Sequence, residues 1–146
     1  MSSDSRFHFL VAVHAFFFKD DKVLLCERAN TGYMDGFLSV PAGHVDGKET
    51  IFAAIQREVQ EEAGVKLTQA LEPTHLMHRI KLGDEERIDY FFVITYWNGE
   101  PRNTEPHKCA YMKWYDRNQL PKAVVPYIRY ALDKISQGKT FSEFQE

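Results

Sequence analysis

The stretch "GHVDGKETIFAAIQREVQEEAGV", Gly43 to Val65, decides how this chain is read. Its second half places Glu58, Glu61 and Glu62 at spacings of three and four. On a helix, with about 100° per residue, Glu61 and Glu62 fall within about 60° on either side of Glu58. Like charges at that spacing repel by a few tenths of a kcal/mol per pair. The last two also sit in the final helical turn, where the helix dipole disfavours negative charge. Phe52, Ile55, Val59 and Ala63 gather on the adjoining arc, so one side can bury while its neighbour stays acidic. The helix is predicted to run from about Glu49 to Ala63, with Gly64 as its left-handed stop. A solvated acidic face is the plain reading of such a cluster. The sharper one is a set of hard oxygen ligands for Mg²⁺ or Mn²⁺, where a divalent ion turns repulsion into shared attraction. The glycine-punctuated "PAGHVDGKE" before the helix favours the latter, because glycines let backbone approach a ligand closely.

The rest of the chain sets the frame. Its 146 residues read as one domain, residues 1–146, long enough to bury a core. A net charge of −3 offers no basic patch for duplex nucleic acid or an anionic membrane surface. The apolar run "FLVAVHAFFF" is about half a membrane span and carries a histidine, so it reads as a central strand. "MSSDSRFH" has no pattern of a secretory leader. Cys26 and Cys109 fit no metal knuckle or redox pair. Their number allows one bridge that nothing in the sequence supports, and two cysteines suit a reducing cytoplasm.

"KDDK" turns the first strand into "VLLCER", and "ANTGYMDG" follows as a loop. "FLSVPAG" reads as one short strand. "THLMHRIKL" and "IDYFFVITYW", joined by "GDEER", read as an antiparallel pair. "NGEPRNTEPHK" is a polar loop and "AYMKWY" a further strand. Val125 to Ser136 reads as a closing helix, and "KTFSEFQE" as a frayed tail.

Gly43, Glu49 and the run "REVQEEAGV" from Arg57 to Val65 resemble the Nudix box at every specified position. The order of elements along most of the chain is similar to that family as well. The resemblance implies an α/β fold, an α/β/α sandwich around a central mixed β-sheet. It implies hydrolysis of a nucleoside diphosphate linked to another moiety, X. Glu58, Glu61 and Glu62 then resemble the ligands of Mg²⁺ (or Mn²⁺), with the Gly43 carbonyl beside them. Arg57 and Glu49 resemble the pair that braces the box. The carboxylate that takes the proton of the attacking water is either Glu61 or Glu105, the latter on the loop before "AYMKWY". Arg28, ending the second strand, resembles an arginine that contacts substrate phosphates, and His44 is placed to touch phosphate or ordered water.

Subfamily marks point to substrate. There is no proline about fifteen residues past the box, as in similar ADP-ribose pyrophosphatases, and "KLGD" lacks the tyrosine of dinucleoside polyphosphate hydrolases. Both absences favour a MutT-like enzyme splitting nucleoside triphosphates to monophosphate and pyrophosphate. A nucleotide-sugar or ADP-ribose type, and a nucleotide-binding regulator without turnover, are the alternatives. "LPKAVVP" offers Ala123 and Val124 where similar enzymes carry a base-reading Asn, which speaks against oxidised-purine specificity. Tyr33, Phe37, Tyr90, Trp97 and Trp114 are candidates to stack on a base, although strand aromatics are more often core. His14, His75 and His78 read as satisfied structural residues. The loop "ANTGYMDG" is placed to shape the pocket for X. The expected partner is a small nucleotide, with no nucleic acid and no membrane, in a cytoplasmic protein with room for a homodimer.

Overall fold

In the computed structural model, residues 6–81, 83 and 85–146 are described. The opening "MSSDS", and Leu82 and Asp84 within the joint "KLGDEER", lie outside the described residues. Eight strands and two helices follow in order: β1 Leu10–Lys19, β2 Lys22–Arg28, β3 Leu38–Ser39, β4 Ala42–His44, α1 Ile51–Ala63, β5 His75–Ile80, β6 Arg87–Ile94, β7 Cys109–Asp116, α2 Pro126–Ser136 and β8 Phe141–Gln145.

The alternation of β1 explains the layering. A strand sends successive side chains to opposite faces. Val13, Ala15 and Phe17 pack with Ala54, Ile55, Val59 and Ala63 of α1. Phe16 packs instead with Tyr127, Ile128 and Ala131 of α2. The strand therefore needs apolar residues on both faces, which is why it reads as one continuous apolar run. The sheet is mixed. β1 pairs parallel with β6, and β5 parallel with β8, while β1–β2, β1–β4, β2–β7 and β5–β6 are antiparallel. The mixed sheet between two helices is the expected α/β/α arrangement.

Three expectations change. "FLSVPAG" is two strands, because the chain crosses over at Val40 and Pro41. Leu38 and Ser39 pair with β2, whereas Ala42, Gly43 and His44 pair with β1 at His14, Val13 and Ala12. Proline has no N–H to extend a ladder, so the break falls there. The tail is also ordered as strand β8 against β5. Ser142 turns inward to bond His75, Phe144 packs on Tyr130 at 5.2 Å, and the Glu146 N–H donates to the Ile80 carbonyl. Finally, Cys26 and Cys109 are joined as a disulfide with Cα atoms 5.8 Å apart. The β2–β7 pairing creates that juxtaposition across 83 residues of chain.

Candidate functional site

The site is built where β4 leaves β1 and α1 begins. Thr50 caps the helix, its side chain accepting from the Ala53 N–H at 3.0 Å. Helix α1 thus starts two residues later than the sequence suggests, with Glu49 just ahead of it. Gly64 closes it with φ 68°, donating back to the Gln60 carbonyl. Glu58 is buried, Glu62 is half-buried and Glu61 is exposed.

Arg57 organises the face. It grips Glu49 through two donors, Nη2 to Oε1 at 2.7 Å and Nε to Oε2 at 3.2 Å. Nη1 donates to Glu58 Oε1 at 2.6 Å, and Nη2 also reaches the His44 carbonyl at 3.2 Å. One planar guanidinium therefore ties the loop, the helix start and the first carboxylate together. Its charge state is held firmly, raised by Glu49 and Glu58, while Arg57 draws the Glu49 carboxyl down.

Gly43 lies directly under Glu58. A Cβ at that position would sit 2.1 Å from Glu58 Oε1 and 2.5 Å from Oε2. A side chain at position 43 would therefore push the Glu58 carboxylate out of its present place. On the other side, Glu62 Oε2 accepts from the Ala42 N–H at 2.9 Å. Burial pushes the Glu62 carboxyl up most, the Ala42 N–H draws it back, and the charges of Glu58 and Glu105 push it further, to about 8. Burial raises Glu58 too, against the pull of Arg57. Both carboxyls are thus pushed toward their protonated forms, chiefly by burial.

Residues past α1 complete the face. The last carbonyls of a helix lack partners within it. Here the Arg102 N–H donates to the Ala63 carbonyl at 2.9 Å and Thr104 Oγ1 donates to the Glu61 carbonyl. These contacts dock the 98–108 loop on the helix end and bring Glu105 to the acidic face. Glu105 and Glu62 line the same cleft of ≈ 470 Å³, with Arg28, His44 and Lys108 around it. Arg102 and Thr104 were not singled out from sequence, since only the fold shows that this loop caps α1.

Arg28 does more local work than the sequence suggests. Its Nε donates to the Tyr33 carbonyl at 2.7 Å and its Nη2 to Thr31 Oγ1 at 3.0 Å. Asp35 accepts from the Thr31 and Gly32 N–H groups, so "ANTGYMDG" is a tied loop. Arg28 still borders both the acidic cleft and a neighbouring chamber that holds Tyr33. The remaining stacking candidates are packed within the molecule: Trp97 lies on Trp114 and against Phe17, Tyr90 joins the α1 cluster, and Phe37 joins the α2 cluster. Val124 bridges β3 at Leu38, where the Leu38 N–H donates to the Ala123 carbonyl, which gives "LPKAVVP" a sheet-extending role. His75 is satisfied through both ring nitrogens and His78 pairs with Glu86. His14 bonds Asp89 through Nε2 at 2.9 Å, as a structural histidine should, and its Nδ1 has no partner among the described residues.

The donor set suits a hard divalent cation. It offers acidic oxygens, the backbone of Gly43 beneath them, and two carboxyls whose raised pKa values a bound cation would bring down. As the side chains stand, Glu58 is turned to Arg57, and no three acidic, His or Cys side chains among the described residues form a ready group of ligands. Among the described residues no helix is long and apolar enough to cross a membrane.

Comparison with known proteins agrees with this geometry. The NUDIX domain model matches residues 8–135. The chain belongs to that family and is, by fold and by box, a Nudix hydrolase. It is similar to an ADP-ribose pyrophosphatase of Methanocaldococcus jannaschii, at 32% identity over 79% of this chain and 66% of that protein. An 8-oxo-dGTP diphosphatase of Proteus vulgaris is 32% identical over 56% of this chain and 71% of its own length. In three dimensions a MutT NUDIX hydrolase from Burkholderia pseudomallei superposes with a TM-score of 0.79, at 27% identity, covering 86% of this chain and 97% of the other.

Proposed function

We propose that this chain is a divalent-metal-dependent pyrophosphohydrolase that cleaves a phosphoanhydride bond of a nucleoside diphosphate linked to a group X. The observation that carries the reading is the carboxylate pair Glu58 and Glu62, Glu58 set over the bare backbone of Gly43 and Glu62 accepting from the Ala42 N–H, with Glu105 lining the cleft beside Glu62. Arg57 offsets only part of that negative charge, and a divalent cation would neutralise the rest. Relatives named for ADP-ribose and for 8-oxo-dGTP support a nucleoside diphosphate as the common part.

Mg²⁺ or Mn²⁺ held by Glu58, Glu61, Glu62 and the Gly43 carbonyl would neutralise phosphate oxygens and acidify an attacking water. The chain's own residues do the rest. Arg57 and Glu49 fix the loop–helix joint so that the carboxylates keep their spacing. Arg28 and His44 face the cleft where a diphosphate runs. Glu105 is delivered by a docked loop to the edge of the same cleft and takes the water's proton; Glu61, on the helix, is the other carboxylate within that face. The subfamily marks favour a triphosphate substrate released as monophosphate and pyrophosphate; a single domain with room for a homodimer completes the reading.

The test is product analysis across a nucleotide panel with Mg²⁺, Mn²⁺ or EDTA. The panel holds (d)NTPs, oxidised dNTPs, ADP-ribose, nucleotide sugars and dinucleoside polyphosphates. Metal-dependent release of a nucleoside monophosphate is expected. Silence across the panel, with nucleotide still bound, would establish a binding module instead.

A further inference from the structure

The disulfide between Cys26 and Cys109 borders the acidic cleft. Both cysteines line it, together with Arg28, Glu62, Glu105 and Lys108. Cys26 is half-buried and Cys109 is buried. No local motif marks the pair, because 83 residues of chain separate the two. The sheet brings them together at a particular place. β2 and β7 keep one register from Lys22 opposite Asp116 to Cys26 opposite Met112; the register then slips, and Arg28 faces Cys109. Such a slip interrupts the ladder and leaves residues unpaired. The sulfur bridge joins the last residue of β2 before the break to the residue of β7 beyond it.

Two parts of the site are fastened at Cys109. The first is the turn that carries Glu105. The Glu105 carbonyl accepts from the Lys108 and Cys109 N–H groups, both at 2.9 Å. Asn103 Nδ2 donates to the Cys109 carbonyl at 2.6 Å, and Asn103 Oδ1 accepts from the Glu105 N–H at 3.1 Å. Glu105 is thus held from both sides by the residue that bears the bridge. The second part is the chain leaving β2 after Arg28. The Ala29 N–H donates to the Lys108 carbonyl at 2.9 Å, and Asn30 Nδ2 donates to the His107 carbonyl at 2.7 Å.

The Glu105 turn therefore hangs between two anchors. One is the end of α1, through the Ala63 and Glu61 carbonyls. The other is the β2–β7 joint at the break. With the bridge closed, that joint is covalent. With the bridge open, it is left to the hydrogen bonds of Ala29 and Asn30, where the ladder is already interrupted.

We propose that Cys26 and Cys109 form a redox-modification site, at which thiol–disulfide exchange with a dithiol sets how firmly Glu105 is held at the acidic cleft. The exchange balances. A thiolate of the dithiol attacks Cys26 Sγ, on the less buried residue; the S–S bond breaks, and Cys109 leaves as a thiolate that takes up a proton. The second thiolate of the reagent attacks the mixed disulfide and releases Cys26. The dithiol loses two electrons and becomes a disulfide, and the protein bridge becomes two thiols. A small disulfide in excess drives the reverse exchange. Both cysteines are positioning residues and touch no reacting atom. The inference rests on the pyrophosphohydrolase reading above, with Glu105 as the group that takes the water's proton.

The experiment uses the full chain, reduced with dithiothreitol or reoxidised with glutathione disulfide. Free thiols are counted after denaturation, and circular dichroism follows the fold. kcat and KM are measured with Mg²⁺ on a triphosphate. The oxidised protein should show no free thiol and the reduced protein two. Reduction should lower kcat roughly tenfold with KM little changed, as a loosened base forfeits part of its contribution, and reoxidation should restore it. The double variant Cys26→Ser, Cys109→Ser should keep the reduced-state kcat and ignore both reagents. Glu105→Gln should turn over at one low rate in both states, whereas a bridge that only supported the fold would change that rate too. Thiols that glutathione disulfide never closes would overturn the proposal. So would equal kcat in the two states, a change confined to KM, or the same redox response in Glu105→Gln. Each of these leaves the pyrophosphohydrolase reading intact. Turnover in neither state, with any nucleotide of the panel, would sink that reading and this inference with it.

Discussion

Replacing Glu62 with Gln tests the electrostatics of the acidic face without touching its shape. Glutamine keeps an oxygen for the Ala42 N–H and a donor for Glu58. In the folded, metal-free protein the Glu62 carboxyl lies at about 8, against 4.5 for a free glutamate. The folded state therefore holds a proton that the unfolded state gives up between those values. A raised carboxyl stabilises only while protonated, so its contribution is complete below about 4.5 and is lost as pH rises through about 8. At about 1.36 kcal/mol per pH unit, the ceiling over the whole window is about 5 kcal/mol, and between pH 5 and 7.5 it is about 3 kcal/mol. Urea melts in EDTA of both proteins isolate the coupled Glu58–Glu62 titration, because groups remote from the pair cancel in the difference. Relative to Glu62→Gln, the wild type should lose at least about 1 kcal/mol from pH 5 to 7.5. Adding Mg²⁺ at neutral pH should then stabilise the wild type, by about 2.7 kcal/mol at a hundred times Kd, and the variant much less. A flat difference from pH 5 to 7.5 would refute the buried pair of raised carboxyls.

Gly43→Ala forces a methyl to within 2.1–2.5 Å of the Glu58 carboxylate, so Glu58 must leave its place; turnover should collapse while circular dichroism shows the fold retained. Arg57→Lys cannot span Glu49, Glu58 and the His44 carbonyl from one ammonium, and should cost metal affinity measured by calorimetry, with only partial recovery of the loss seen in Arg57→Ala. Glu105→Gln should lower kcat by about 10²–10⁴ with KM little changed if Glu105 takes the water's proton. A fall below tenfold would hand that role to Glu61.

The acidic helix was legible because its information is local. About 3.6 residues per turn place Glu58, Glu61 and Glu62 together, and Gly43 leaves room for the carboxylate above it. Strand faces were legible in the same way from the apolar run of β1. What the sequence concealed depends on pairing between distant strands. "FLSVPAG" reads as one element until its two halves are seen against different neighbours. Cys26 and Cys109 meet only through the β2–β7 ladder. The tail looked polar because an edge strand buries every second residue, here Ser142 and Phe144. A histidine in the middle of an apolar run, with Asp89 in "RIDYFFV", is the signal that the buried face carries a polar network. Only the β1–β6–β5 register places the two with Arg79.

The central claim is that the acidic face of α1 is a working metal site. Mn²⁺ titration followed by electron paramagnetic resonance, on the wild type and Glu61→Gln, with hydrolysis measured on the same samples, tests it directly. Mn²⁺ should bind the wild type and support turnover. Glu61→Gln should bind it weakly and turn over nothing while keeping its fold. Hydrolysis that persists in EDTA, or in a Glu61→Gln protein with unaltered metal binding, would contradict the claim.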